Sequence, residues 1–187
     1  MTEVSPGEPL SERSDAATAR PSSRASRGLG RLLALATLVL LLDQASKAWI
    51  RANIPLGNEM PLLPGVVHLS HVLNYGAAWG VLQGQRVLLV VVSLVVLGSV
   101  LYSARSIVAR GPLMVMAMGF VLGGALGNLI DRIWQGAVTD MIDVDTSIGF
   151  LRAFPVFNIA DSALTVGVTL LCIYLLFNRE PETASST

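Results

Sequence analysis

The chain has 187 residues, a length that would suit one soluble domain, but 52% of them are hydrophobic and only 14% are charged. Mean hydropathy is +0.61, so the chain has too little polar surface to cover a globule in water, and lipid is the natural solvent for much of it. The formal net charge of zero gives no indication of a nucleic-acid partner. The single cysteine, Cys172, excludes an intrachain disulfide and any metal site built from several cysteines.

The N-terminal segment, residues 1–28, is rich in serine, alanine and arginine and contains three prolines. No apolar period runs through it, so it offers no face that could be buried against a core. We therefore expect residues 1–28 to form a disordered tail.

Four long apolar segments follow, at about residues 29–50, 86–104, 112–134 and 157–177. Each is close to the roughly 20 residues that a helix needs to cross a hydrocarbon core about 30 Å thick. Backbone groups in lipid must be paired within their own segment, so each segment is predicted to be a helix. The predicted fold class is an all-α membrane protein, in which residues 29–177 form a bundle of four transmembrane helices and residues 178–187 form a second tail.

The first apolar segment also has the outline of a secretory signal peptide, because Arg27 and Arg31 precede its apolar stretch. No small-x-small cleavage site closes that stretch, and Asp43 and Lys47 follow on the same helix. We therefore interpret this segment as a membrane span that is retained.

Orientation is predicted from the basic residues, which concentrate on the cytoplasmic side of membrane proteins. With four spans, one side carries Arg13, Arg20, Arg24, Arg27, Arg31, Arg105, Arg110 and Arg179. The opposite side carries the acidic residues Asp43, Glu59, Asp131, Asp140, Asp143, Asp145 and Asp161, together with Lys47, Arg51, Arg86, Arg132 and Arg152. Both tails are therefore predicted to be cytoplasmic, and the acidic residues are predicted to cluster at the outer face.

The two outer loops, 51–85 and 135–156, differ in composition from the short inner loop. The first contains a run rich in strand formers, Val66–Leu73, and the second contains Val138–Val144, whose residues partly alternate between apolar and polar. We expect these two runs to form a small extracytoplasmic β-sheet at the membrane surface.

Ionisable side chains in the apolar segments need an explanation, because each costs at least about 2.5 kcal/mol at the centre of a membrane helix. They occur here only toward the outer ends of the first, third and fourth spans. Asp43 and Lys47 are four residues apart and share a helix face, which favours a structural ion pair. Asp131 and Arg132 are adjacent and point apart, so each needs another partner.

Two further features have a less specific interpretation. His68 and His71 are only a weak metal-binding pattern, because no companion Glu or His completes a ligand set. The run of small residues Gly123–Gly127 looks like a nucleotide-binding loop, but in a membrane span such residues more often allow helices to pack closely.

Asp161 is harder to explain as a structural residue, because no Lys or Arg lies within one helical turn of it in an apolar segment. Two carboxyl groups brought close together cannot both ionise easily, so they share one proton. The charged member can then take a proton from water while the neutral member donates one to a substrate carbonyl, which is general acid–base hydrolysis of an amide. This chemistry needs no serine, cysteine or metal.

Two other classes of protein remain open at this point. Intramembrane carboxylates also mark small transporters and proton relays, although those proteins need acids distributed through the bilayer. A purely structural membrane scaffold is the third interpretation, and it leaves the clustered aspartates and asparagines unexplained.

Five motifs occur between residues 29 and 177 in the order found in one family. They are DQASK at 43–47, NYGAAW at 74–79, GGALGNLIDR at 123–132, VTD at 138–140 and FNIADS at 157–162. Each is weak alone, but together, on four predicted spans, they are highly specific. By these motifs the chain resembles the bacterial lipoprotein signal peptidases, also called type II signal peptidases.

The resemblance implies an aspartic endopeptidase of the bacterial cytoplasmic (inner) membrane, with its active site near the outer leaflet, that cleaves prolipoproteins before a diacylglyceryl-modified cysteine. It implies that Asp140 and Asp161 form the catalytic pair. Asp143, a further acid in the same loop, is a competitor of Asp140, although the spacing to Arg132 favours Asp140. The residues that would shape and brace the pocket are Asp43, Lys47, Asn74, Gly76, Asn128, Asp131, Arg132, Asn158 and Ala160. It further implies contact with membrane lipid, inhibition by globomycin-type peptides, and neither cofactor nor metal. We expect a monomer, because four spans can pack alone.

Overall fold

The computed structural model describes residues 23–77, 80–144 and 154–178. Its helices are α1 (Ser23–Asn53), α2 (Arg86–Tyr102), α3 (Ala104–Ala109), α4 (Pro112–Trp134) and α5 (Ile159–Phe177), and its strands are β1 (Glu59–Leu63), β2 (Val67–Asn74) and β3 (Val138–Asp143). Within the described ranges, α1, α4 and α5 are long and apolar enough to cross a membrane, and α2 is a shorter apolar helix of 17 residues. The fold therefore combines apolar helices of membrane type with one small sheet.

Helix α4 is the centre of the helix assembly. In its most apolar stretch 72% of the residues are buried, against 17% in the corresponding stretches of α1 and α5. Helices α1, α2 and α5 all pack against it, and the core between them includes Leu32, Ala36, Leu97, Leu122 and Leu129. Because α4 is surrounded in this way, the polar side chains near its C-terminal end are shielded from lipid.

Small residues on α4 allow this close packing, as the sequence predicted. A Cβ atom added to Gly123 would lie 2.7 Å from the carbonyl oxygen of Ala36, and one added to Gly124 would lie 2.5 Å from that of Ala160. Both distances are too short for any side chain, so the two glycines set how closely α1 and α5 approach α4.

The helix boundaries differ from the predicted spans in four places. Helix α1 begins at Ser23 and ends at Asn53, so residues 23–28 are helical where a disordered tail was expected. A helix can continue beyond the lipid core wherever no proline stops it, and the last proline before α1 is Pro21. The second span, predicted to reach residue 104, ends at Tyr102, and the short helix α3 follows it. Helix α5 begins at Ile159 rather than at residue 157. Residues 1–22 and 179–187 of the two predicted tails lie outside the described residues.

The three strands form an antiparallel sheet in the order β1-β2-β3. The two strand-rich runs found in the sequence are β2 and β3, which confirms the predicted sheet. Strand β1 was missed because Pro61 interrupts it, and proline is confined to edge strands such as this one. In the register between β2 and β3, Asn74 pairs with Val138 and Val72 pairs with Asp140. This register brings the end of β2 beside the VTD motif.

The residues just before α5 are hydrogen-bonded to β3. The amide nitrogens of Met141 and Ile142 both donate to the carbonyl oxygen of Phe157, at 3.0 and 2.8 Å. The start of α5 is thereby fixed beside β3, although residues 145–153 of the connecting loop lie outside the described part of the chain. The FNIADS motif is thus held next to the VTD motif.

Candidate active site

The first turn of α5 is closed by a reciprocal pair of hydrogen bonds. Asn158 is the N-cap residue: its Oδ1 accepts a hydrogen bond from the amide of Asp161 at 2.9 Å, and Asp161 Oδ2 accepts one from the amide of Asn158 at 3.3 Å. The three-residue spacing of these two residues is therefore a capping box. It fixes the Asp161 carboxylate at the start of the helix and leaves Oδ1 of Asp161 available to a donor from another helix.

That donor comes from α4. Asn128 Nδ2 donates to Asp161 Oδ1 at 2.8 Å, and Asn128 itself is buried. Asn128 lies four residues after Gly124, on the side of α4 that packs against α5. The close approach of the two helices therefore allows one amide side chain to bridge them.

Asp140 lies on β3 and is only 2% exposed. Its Oδ2 accepts a hydrogen bond from Asn74 Nδ2 at 3.0 Å, and its Oδ1 accepts one from Asn158 Nδ2 at 2.6 Å. Asn158 thus bonds to both Asp140 and Asp161. In the described part of the chain neither carboxylate forms an ion pair with a lysine or arginine, so both are held by neutral amides.

Burial first, and then the negative charge of Asp161, raise the pKa of the Asp140 carboxyl from its ordinary value of 3.8 to about 7. Hydrogen bonds from Asn74 and Asn158 and the charge of Lys47 oppose the shift. Because burial and the like charge prevail, the carboxyl can hold a proton near neutral pH.

Both acids line one cleft of about 910 Å³. Its polar end carries Asn74, Asn128, Arg132, Asp140 and Asp161. Its apolar end is formed by α2 and α5 and includes Val92, Val96, Leu164 and Val166. A cleft of this kind suits a ligand that has a long apolar part attached to a polar group.

A second group of acids lies next to this cleft, around one lysine. Lys47 Nζ is 2.8 Å from Asp43 Oδ2 and 3.1 Å from Asp131 Oδ2, and the side chains of Asp43 and Lys47 are fully buried. The predicted ion pair between Asp43 and Lys47 is confirmed. The prediction that Asp131 and Arg132 find separate partners is also confirmed, because Arg132 Nη2 donates instead to the carbonyl oxygen of Gly76 at 3.0 Å.

The two groups of acids are connected through α4 and α5. Lys47 Nζ donates to Asn128 Oδ1 at 3.1 Å, on the residue whose amide nitrogen holds Asp161. Asp43 Oδ1 accepts the backbone N–H of Ala160 at 2.9 Å, which satisfies one free donor in the first turn of α5. Ala160 therefore contributes its backbone, and a larger side chain would not fit because it is fully buried.

Gly76 connects the segment after β2 to the site. Its amide donates to Asn74 Oδ1 at 2.9 Å, and its carbonyl oxygen accepts the bond from Arg132. A Cβ atom at this position would lie 2.8 Å from the carbonyl oxygen of Val81, which explains the glycine. Ala78 and Trp79, at the end of the NYGAAW motif, lie outside the described residues.

Four polar residues of this region were missed by the sequence reasoning. Gln44 Nε2 donates to Asp131 Oδ1 at 3.3 Å, and Arg51 Nη1 and Gln135 Nε2 donate to Thr139 Oγ1 at 3.1 and 2.7 Å. A signal for Arg51 was present, because it lies four residues after Lys47 on the same helix face. Gln135 and Thr139 gave none, since their meeting depends on how the chain turns after α4.

Asp143 and the two histidines lie away from the cleft. Asp143 Oδ2 is 3.5 Å from Ser70 Oγ, and it is paired across the sheet with His68. His71 Nδ1 is 2.7 Å from the carbonyl oxygen of Ile54. Within residues 23–77, 80–144 and 154–178, no three His, Cys, Asp or Glu side chains are grouped as a metal ion would need.

Comparison with known proteins identifies the family. The sequence profile of Signal peptidase (SPase) II matches residues 35–177. This chain belongs to the signal peptidase II family. A lipoprotein signal peptidase of Geobacillus thermodenitrificans is 43% identical over 148 residues, which cover 79% of this chain and 91% of that protein. One of Lactobacillus johnsonii is 37% identical over 160 residues, covering 86% and 99%.

Solved structures agree with the sequence relatives. A structure described as a bacterial membrane enzyme superposes with a TM-score of 0.74 at 34% identity, covering 84% of this chain and 94% of the other. A second such structure gives a TM-score of 0.69 at 35% identity, covering 80% and 95%.

Signal peptidases II are bacterial membrane enzymes of the aspartic protease class that remove signal peptides from prolipoproteins. This chain is therefore a hydrolase of that class, and the alternative of a transporter or proton relay is not favoured.

Proposed function

We propose that this chain cleaves prolipoproteins before a diacylglyceryl-modified cysteine and that Asp140 and Asp161 are its catalytic pair. One observation carries the assignment: both carboxylates line the same cleft, neither is paired with a cation among the described residues, and the pKa of Asp140 is raised to about 7. Asp143, the competing candidate, lies outside the lining of that cleft.

The proposed reaction is general acid–base hydrolysis without a covalent intermediate. The ionised carboxylate takes a proton from a water molecule as the water oxygen attacks the scissile carbonyl carbon. The protonated carboxyl donates its proton to the carbonyl oxygen, which gives a neutral tetrahedral diol. When the C–N bond breaks, the newly protonated carboxyl gives its proton to the leaving amine while the other carboxylate takes a proton from one diol hydroxyl. The products are a carboxylic acid and an amine, and the pair again holds one proton.

The neighbouring asparagines orient this pair without neutralising it. Asn158 binds both acids, Asn74 holds the second oxygen of Asp140, and Asn128 holds Asp161. An amide donor fixes the direction of a carboxylate but adds no charge, so protonation of one member remains possible. A lysine in the same place would keep both acids ionised.

The remaining residues of the site are proposed to brace the pocket. Asp43, Lys47 and Asp131 tie α1 to α4, and Ala160 ties α1 to α5. Arg132 and Gly76 tie the first outer loop to α4. Of these residues only Arg132 lines the cleft, which supports a bracing role for the others.

The apolar end of the cleft supports the choice of substrate. Helices α2 and α5 both pack on α4 but make little contact with each other, so the cleft between them opens toward the side of the helix assembly. Acyl chains could enter from lipid along Val92, Val96 and Val166 and hold the adjacent peptide bond beside the acids. Globomycin-type inhibitors are proposed to occupy the same cleft.

Four spans, with α2 as the second, and two cytoplasmic tails are the proposed topology. The support is the position of the exposed arginines Arg31, Arg105 and Arg110 at the end of the helices opposite the acids. The sheet and the catalytic pair would then lie near the outer leaflet of the cytoplasmic membrane. We further propose a monomer, since all residues of the pair and its braces come from one chain.

The experiment compares two forms of one precursor in the same detergent micelles. The purified full chain is expected to cleave the diacylglyceryl-modified precursor at a higher kcat/KM than the unmodified one, because only the modified form has acyl chains to fill the cleft. Equal kcat/KM values for both precursors would contradict lipoprotein specificity and would favour a general membrane peptidase.

A further inference from the structure

Thr139 precedes the proposed catalytic Asp140 on β3 and is fully buried. Side chains alternate along a strand, so Thr139 faces away from the cleft that Asp140 faces. The contacts agree with this alternation: Asp140 meets Asn74 and Asn158, whereas Thr139 meets side chains from the end of α1 and the end of α4.

Three polar side chains hold Thr139 from that opposite face. Its backbone N–H donates to Asp131 Oδ2 at 3.0 Å. Its hydroxyl oxygen accepts one hydrogen bond from Arg51 Nη1 at 3.1 Å and another from Gln135 Nε2 at 2.7 Å. A hydroxyl oxygen has two lone pairs, so both are used. The position of Thr139 is therefore fixed relative to two helices at once.

We infer that Arg51 and Gln135 are positioning residues for catalysis, which act through the hydroxyl of Thr139 on the carboxyl of Asp140. The inference rests on the proposed catalytic role of Asp140. Asp140 is attached directly to Thr139, and its two oxygens must meet Asn74 and Asn158 on the other face of the strand. A small shift of the strand would change both bonds, and misplacement by about 1 Å can reduce a catalysed rate on the order of 100-fold.

A purely structural role for Arg51 makes a different prediction. Its guanidinium also lies 3.8 Å from Asp131 Oδ1, and its side chain is 33% exposed. Ion pairs that remain partly exposed contribute little to stability. If this pair were the function of Arg51, the effect of removing the arginine would not depend on the hydroxyl of Thr139.

The test is a double-mutant cycle on kcat and KM, measured for the full chain in micelles with the diacylglyceryl-modified precursor. Thr139→Val keeps the shape but removes the hydroxyl, and we expect kcat to fall about tenfold with KM unchanged. Thr139→Ser keeps the hydroxyl and should retain most of kcat. Arg51→Gln should lower kcat several-fold in the parent chain and have no further effect in the Thr139→Val background.

The controls are Thr169→Val, at an exposed site of α5, and Arg105→Gln, at an exposed site of α3. Both make the same chemical change away from β3 and should leave kcat unchanged. If Thr139→Val does not fold, Arg51→Gln, Gln135→Ala and Arg51→Lys carry the test, since the lysine keeps a charged donor on a longer side chain than the glutamine amide and should recover kcat.

Wild-type kcat in Thr139→Val, or an equal effect of Arg51→Gln in both backgrounds, would overturn the inference. The same holds if Arg51→Lys is as slow as Arg51→Gln. An active Asp140→Asn variant, measured alongside, would instead remove the proposed catalytic pair itself, so the two failures are distinguishable.

Discussion

Two pairs of aspartates lie side by side in this molecule, and their environments differ in one respect. Asp43 and Asp131 surround the buried ammonium of Lys47. Asp140 and Asp161 are bound by the amides of asparagines. The ammonium of Lys47 fixes the first pair through two ion pairs, whereas amides orient the second pair without adding a charge. The same residue type thus serves structure in one place and chemistry in the other.

Asn128 lies between the two pairs and contacts both. Its oxygen accepts from Lys47 and its nitrogen donates to Asp161. The amide orientation that gives this pattern is fixed by its partners, because an ammonium only donates and a carboxylate only accepts. The structural pair therefore sets the direction of the donor that the catalytic pair uses.

The largest effect on activity is expected from substitutions in the amide-bound pair, Asp140 and Asp161. Asp140→Asn and Asp161→Asn should each abolish cleavage while the protein still inserts and folds, since each keeps the shape but removes proton transfer. General acid–base terms are worth about 10²–10⁴ in rate each. Single-turnover cleavage of the modified precursor measures the loss.

Asp143→Asn is the matched control for the amide-bound pair. Asp143 lies three residues further along the chain, outside the cleft lining, and its variant should retain substantial activity. An inactive Asp143→Asn variant combined with an active Asp140→Asn variant would reverse the assignment of the loop carboxylate.

Changes at the lysine-bound pair, Asp43 and Asp131, should lower the stability of the fold rather than act on the catalytic step. Lys47→Met keeps the length of the buried side chain but leaves Asp43 and Asp131 without their ammonium. Breaking a buried ion pair by removing one partner destabilises by about 3–5 kcal/mol. Thermal unfolding in micelles measures this loss.

The double variant Asp43→Asn/Lys47→Met should recover part of the lost stability, because it removes one of the two uncompensated charges. A Lys47→Met variant as stable as the parent chain would show that the lysine-bound pair does not hold the fold.

A smaller effect is expected from the amide donors themselves. Asn74→Ala removes one of the two hydrogen bonds to Asp140. Hydrogen bonds to charged groups are worth about 1.5–3 kcal/mol, so we expect kcat to fall on the order of 10- to 100-fold with the fold intact. An Asn74→Ala variant with the parent kcat would show that Asn158 alone is enough to orient Asp140.

The pH dependence of kcat tests whether Asp140 holds the shared proton. The pKa of Asp140 is raised to about 7, first by burial and then by Asp161, so the pair holds its shared proton below that pH and loses it above. We expect kcat to fall about tenfold per pH unit above about pH 7.

The hydrogen bond from Asn74 lowers the pKa of Asp140. Asn74→Ala should therefore raise that pKa and move the descending limb of the profile to higher pH. A limb that stays in place would show that it reports some other group.

Protonation of Asp140 also makes the stability of the fold depend on pH. A carboxyl whose pKa is higher in the folded than in the unfolded state stabilises the fold fully below the unfolded value, 3.8, and that contribution is lost as pH rises toward about 7. Asp140→Asn removes this loss, so the variant should be relatively more stable than the parent chain at pH 8 than at pH 4. Thermal unfolding at the two pH values measures it.

Local patterns made much of this molecule predictable. The four-residue spacing of Asp43 and Lys47 predicted their ion pair, and the strand-forming runs predicted β2 and β3. Strand β1 was not predicted, because Pro61 weakens the strand signal in its sequence. The strand is stabilised by pairing with β2, which the sequence of β1 alone does not show. Helix α1 extends to Ser23 because helix formation does not stop where the lipid does.

The contacts between secondary-structure elements could not be predicted from the sequence. The spacing of Asn158 and Asp161 was visible, but their capping box depends on where α5 begins. The meeting of Arg51, Gln135 and Thr139 depends on the turn between α4 and β3 and on the packing of α1. The roles of Asp140 and Asp161 stay a prediction that the geometry supports, until the substitutions above are measured.

Which pair holds the proton can be measured directly by infrared difference spectroscopy of the full chain in micelles between pH 5 and pH 9 (roughly two pH units on either side of the Asp140 pKa). The carbonyl stretch of a protonated carboxylic acid should be present at the lower pH and disappear as pH passes about 7. Asp140→Asn should remove this titration, and Asp161→Asn should move it to lower pH because one of the two causes that raise the Asp140 pKa is gone. Asp43→Asn and Asp131→Asn should leave it. An unchanged titration in Asp140→Asn, with its loss in Asp43→Asn or Asp131→Asn, would contradict the division of the four acids into a structural and a catalytic pair.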